Sequence, residues 1–198
     1  AAVTSIQTPD KNGLFQNIVL GYTDLNEYVN YRPYYGATIG RVAGRIDKGA
    51  FTLEGTHYNL ETNDKTNHSH GGINGLDTKI WTVEPVSSED EAQLIFTYTS
   101  PHHENGYPGN LTVQVTYTLN ESNEWKINYQ AITDKTTLFN PTNHVYFNLS
   151  GEPTKGINQH ELTLTSSHFA ELRVDSIPTG KLLPVKGTPF DFRTTDTV

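Results

Sequence analysis

Three segments of the chain place histidines among turn-forming residues. They are Asn67-His68-Ser69-His70-Gly71-Gly72, Pro101-His102-His103-Glu104-Asn105-Gly106-Tyr107-Pro108-Gly109 and Asn140-Pro141-Thr142-Asn143-His144-Val145-Tyr146-Phe147-Asn148. Imidazole titrates near neutral pH, so a histidine held at a cleft can give or take a proton under ordinary conditions. His144 follows a Pro-Thr-Asn turn and opens an apolar Val-Tyr-Phe run. Packing there would fix its ring and aim it into a cleft; the plainer alternative is a satisfied core or rim histidine. His70 precedes two glycines, which allow a sharp backbone turn and close approach of a ligand. The alternative is an ordinary loop histidine. His102, His103 and Glu104 read as a solvated loop tip, with the two histidines pointing opposite ways.

A fourth segment, Gly40-Arg41-Val42-Ala43-Gly44-Arg45-Ile46, sets two arginines around small residues. A guanidinium carries a fixed fork of donors and keeps its proton. Near a sugar, Arg45 would bind ring or hydroxyl oxygens without moving protons; a surface salt bridge is the competing assignment. Arg41 reads as structural or exposed. A metal site is also conceivable. His68 and His70 are two apart and would share a face of a strand, and with His144 they would supply three nitrogens of a zinc-type site. Jelly-roll metal barrels of the cupin type use His-x-His, but they add a glutamate a few residues on. Here Gly71-Gly72-Ile73-Asn74-Gly75 follows, without an acid.

These segments must be positioned mainly by strands. Leu111, Val113, Val115, Tyr117 and Leu119 alternate with Thr112, Gln114, Thr116 and Thr118. A period of two makes a half-buried strand. Trp125, Ile127, Tyr129 and Ala131 repeat the pattern beyond a polar Asn120-Glu121-Ser122-Asn123 turn, and Leu94, Phe96 and Tyr98 repeat it upstream. The three runs predict an antiparallel meander. Shorter strands are expected at Ile18 to Leu20, Phe51 to Leu53, Lys79 to Val83, Val145 to Leu149 and Glu161 to Thr165. One short helix is expected, capped by Asp24 with Glu27 three residues on. The pattern implies an all-β architecture, a sandwich or a relative of one, in a single domain over residues 1–198.

The net charge of −8 gives no electrostatic footprint for nucleic acid or an anionic membrane. No stretch approaches the roughly 18 apolar residues of a membrane span. No leader peptide is visible, and the lack of Met at position 1 is expected to reflect processing, an expression scar or truncation. Without cysteine there is no disulfide and no thiolate ligand or nucleophile.

Taken together, the segments resemble the aldose 1-epimerase family. Gly40-Arg41-Val42-Ala43-Gly44-Arg45-Ile46 is similar to its arginine motif. His70-Gly71-Gly72 is similar to its Leu-His-Gly-Gly turn, with Ser69 in the leucine position. Asn105-Gly106-Tyr107-Pro108-Gly109 resembles the loop before a long strand, and Thr142 to Leu149 resembles the catalytic histidine motif. Pro178-Thr179-Gly180 and Thr188-Pro189-Phe190-Asp191-Phe192-Arg193 resemble later segments. The resemblance implies a large antiparallel β-sandwich of the galactose mutarotase type, truncated, and interconversion of sugar anomers in the cytoplasm. It implies that His144 is the general acid, that His70 and Arg45 bind the sugar, and that Tyr146 lines the pocket. Gly44 stands where many relatives carry asparagine, so that sugar contact is expected to be missing or to come from backbone. No cofactor and no metal are implied, and the partner is an aldohexose. The family's catalytic glutamate and a sugar-binding aspartate are expected beyond Val198, and one or two strands before Ala1. A non-catalytic carbohydrate-binding module and a His-ligated metal barrel are the alternatives.

Overall fold

The computed structural model describes residues 1–194 and 196–197. The period-two runs form one four-stranded antiparallel sheet. Trp125–Thr133 lies at one edge, followed by Leu111–Asn120, Glu91–Ser100 and, at the other edge, Thr82–Ser87. Val113 faces Ala131 on one side and Tyr98 on the other. Leu111, Val113, Val115 and Tyr117 are buried, while Thr112, Gln114 and Thr116 are half-buried. The central strand is therefore the best covered of the four, as its alternation predicts.

Contacts divide the chain into two units, Ala1–Ala2 with Ala37–His144, and Val3–Gly36 with Val145–Val198. The first unit holds the sheet. It also holds three short antiparallel pairs: Thr38–Ile39 with Thr142–Asn143, Arg45–Ile46 with His68–Ser69, and Ala50–Leu53 with Thr56–Asn59. Ile39, Leu60, Leu76 and Tyr107 join the sheet residues in its core. The strand expected at Lys79 to Val83 starts later, at Thr82. A 3₁₀ turn at Leu76–Thr78 precedes it, and the Leu76 carbonyl accepts from the Trp81 indole at 3.1 Å, which keeps this approach out of the ladder. Pro85 lies in this strand, where an edge tolerates it.

In the second unit, Gln7–Pro9 pairs with Phe15–Asn17, His168–Leu172 with Pro178–Pro184, and Glu161–Leu162 with Asp196–Thr197. The Ile18 to Leu20 and Val145 to Leu149 runs do not form continuous strands; Val19 and Phe147 meet in an isolated bridge. The expected helix spans Leu25–Asn30. The Asp24 side chain caps it, accepting from the Asn26 backbone N–H at 2.7 Å.

Candidate active site

The arginine segment and the His-Gly-Gly turn are joined by a two-residue ladder, in which Arg45 faces Ser69 and Ile46 faces His68. The ladder ends at His70, whose φ is +52°. Gly44 grips this histidine twice. Its carbonyl accepts from the His70 N–H at 2.9 Å, and its own N–H donates to the His70 Nδ1 at 3.3 Å. In the neutral ring that bond leaves the proton on Nε2. Gly44 itself has φ +78°, with open space where a Cβ would stand. Asparagine is among the residues that best tolerate this region, so the backbone accommodates the residue that the resemblance places there. Gly71 answers a different need: a Cβ on it would overlap the Gly40 carbonyl.

His144 reaches the same place from the other end of the unit. Thr142–Asn143 pairs with Thr38–Ile39, and the His144 N–H donates to the Ala37 carbonyl at 2.9 Å. The rings of His70 and His144 stand nearly perpendicular, at 80°, with centroids 5.1 Å apart. Two histidines 74 positions apart in sequence thus form one site. Arg45 carries the ion pair that was its competing assignment, with Nε 2.6 Å from Asp64 Oδ2. Asp64 is the residue that sequence reasoning missed; its only signal is an acid in the turn before the histidines. That bond leaves the two terminal guanidinium nitrogens without a hydrogen bond to another described residue. Tyr146 belongs to the second unit, where its ring meets Tyr35 edge-on at 5.4 Å and its carbonyl accepts from the Leu20 N–H.

His68 does not share a face with His70, because the chain leaves extended geometry at His70. The His68 ring is fully buried, with Nδ1 donating to the Glu61 carbonyl at 2.7 Å and Nε2 receiving the Tyr107 hydroxyl at 2.8 Å. Burial lowers its pKa, against the pull of Glu61. Both of its nitrogens are engaged in protein bonds. Among the described residues no three His, Cys, Asp or Glu groups converge in a metal-ligating arrangement. The donor set therefore does not fit the zinc-type alternative.

The loop from Pro101 to Gly109 is solvated at Pro101, His102 and His103, as expected, but Glu104 turns inward. Glu104 accepts from Tyr98 at 2.8 Å and Ser100 at 2.5 Å, and pairs with Lys79. Burial would raise its pKa, but these bonds outweigh it and hold the carboxyl below its ordinary value. The histidine rings beside it sit 3.8 Å apart, because His103 adopts a left-handed conformation rather than an extended one. Arg41, only 2% exposed, threads into this loop. Its guanidinium donates to the carbonyls of Ser100, Pro101, Pro108 and Gly109 at 2.8–3.1 Å. Its role is structural, and its backbone registers the site: the Arg41 carbonyl accepts from the Asn140 N–H at 2.9 Å.

Residues 1–198 match the sequence model of the aldose 1-epimerase family. Galactose mutarotase of Sus scrofa is 44% identical over 191 residues, 96% of this chain and 54% of that protein. The aldose 1-epimerase of Streptococcus thermophilus is 36% identical over 196 residues, 98% of this chain and 56% of that protein. The crystal structure of galactose 1-epimerase from Lactobacillus acidophilus NCFM superposes on the whole chain and on 57% of its own length, with 32% identity and a TM-score of 0.89. A GalM/aldose epimerase homologue from C. elegans does so over 59% of its length, with 33% identity and a TM-score of 0.91. The architecture is thus the large antiparallel β-sandwich of that group, and the chain spans about half the length of the relatives it matches. Family match and fold agree, and the chain belongs to the aldose 1-epimerase family.

Proposed function

We propose that the protein carrying this chain is a mutarotase that interconverts the α and β anomers of aldohexoses such as galactose or glucose. The observation that supports this most directly is the perpendicular pair of His70 and His144 beside Arg45. Mutarotation opens a hemiacetal, lets C1 rotate and closes the ring again. Opening needs an acid at the ring oxygen and a base at the anomeric hydroxyl; closing reverses both. His144 is the acid. Its proton passes to the ring oxygen as the C1–O bond breaks and returns when the bond re-forms. His70 and the Arg45 guanidinium hold sugar oxygens and orient the ring. Gly44 contributes backbone alone. The base is the glutamate that the family resemblance implies, and no residue of this chain is assigned to that role. The cycle returns every group to its starting protonation state and calls for no cofactor. We place the protein in the cytoplasm and assign residues 1–198 to one family domain; support for the latter is the uninterrupted family match over those residues.

The test is polarimetry of α-galactose and α-glucose. The longer protein should exchange anomers well above the spontaneous rate, and His144→Ala should lower kcat about 10²–10⁴-fold, the usual contribution of one acid–base group. The 198-residue chain alone should stay near the spontaneous rate. Sugar binding by the longer protein without any exchange would instead mark a carbohydrate-binding module.

A further inference from the structure

We infer that Tyr117 is a positioning residue for His144, acting through Asn143 to set the direction from which the imidazole meets the sugar. The inference rests on the mutarotase assignment proposed above. Tyr117 lies on the central strand of the meander and is 8% exposed. Its ring is held on two sides, by Trp125 stacked at 6.2 Å and by Phe96 edge-on at 5.7 Å. Its hydroxyl lies 3.1 Å from Thr38 Oγ1 and accepts from Asn143 Nδ2 at 3.2 Å. Burial pushes the phenol's pKa up, while the bonds to Thr38 and Asn143 draw it down. A phenol is protonated at neutral pH, so the hydroxyl can donate to Thr38 while accepting from Asn143.

Thr38 and Asn143 face each other across the short antiparallel ladder. Their side chains therefore leave on one face and converge on a single phenol oxygen. Side chains alternate along extended chain, which sends the next one, His144, to the opposite face. There its ring stands 5.1 Å from His70. The His144 N–H is tied to Ala37, the neighbour of Thr38. The acid thus follows directly on a short, doubly anchored segment, and Tyr117 is the anchor on the core side.

Tyr117→Phe deletes one oxygen and keeps the ring packing. In the longer protein kcat for anomer exchange should fall about 10–100-fold, since a displacement near 1 Å can cost about 10²-fold. KM should stay within about twofold, because the lost interaction bears on the transition state rather than on ground-state binding. The pH–rate profile should also change shape. A packing role alone would lower Tm and leave kcat per folded molecule and the profile unaltered. Asn143→Ala removes the other end of the bond, and the double variant should lose no more than either single one. If Tyr117→Phe does not fold, Asn143→Ala carries the test by itself. Wild-type kcat in the folded variants would overturn the inference and leave the mutarotase assignment standing. A wild-type protein that does not accelerate the exchange would remove that assignment and the inference with it.

Discussion

At the scale of single residues, His68 and His70 show how much two positions can differ. Ser69 alone separates them, yet His68 is closed into the core and His70 faces His144. Burial keeps His68 neutral by holding its pKa below the ordinary 6.5, so the unfolded chain takes up a proton that the folded one resists. The sign follows directly. Stability from this residue is complete above about pH 6.5 and is lost as pH falls through and below that value. Thermal unfolding followed across this range should show Tm dropping on acidification. His68→Gln, which retains a polar group for Tyr107, should flatten that slope. An unchanged slope in the variant would mean that His68 titrates alike in both states.

At the scale of elements, the loop from Pro101 to Gly109 is held from within by three charged groups: Arg41, Glu104 and Lys79. The Arg41 and Glu104 side chains are largely removed from solvent. Breaking such a network by removing one partner strands the others, at a cost of about 3–5 kcal/mol. Glu104→Gln preserves the shape and deletes the charge, so it isolates this effect. Its denaturant midpoint should fall accordingly, with the m-value unchanged. The same loop shows where local sequence rules stop. Adjacent histidines, a glutamate and Asn-Gly are a fair description of an exposed tip. The glutamate turns inward because Lys79, Tyr98 and Ser100, from two other elements, meet it there.

At the scale of the whole molecule, the meander carries apolar side chains that no described residue covers well. Leu119 is 56% exposed, Ile132 76% and Val83 50%. Exposed apolar side chains and open sheet edges favour association. The 198-residue chain studied alone should therefore self-associate with rising concentration in sedimentation experiments. Leu119→Lys with Ile132→Lys should shift it toward monomer. A chain that stays monomeric at high concentration without these changes would contradict this.

The alternation from Leu94 to Ala131 announced the antiparallel meander, because period-two burial acts over a few neighbouring residues. Asp24 likewise announced the helix, and Gly71 the tight turn. The motif residues His70, Arg45 and His144 were legible as candidates, but the meeting of the two histidines was not, since it depends on short ladders between distant segments. Tertiary structure alone decided which histidine enters the core, which carboxylate holds Arg45, and that Arg41 is buried. Arg41 finds its partners 59 to 96 residues away in sequence. A charge can be buried only when such partners are assembled around it, and no local pattern records that.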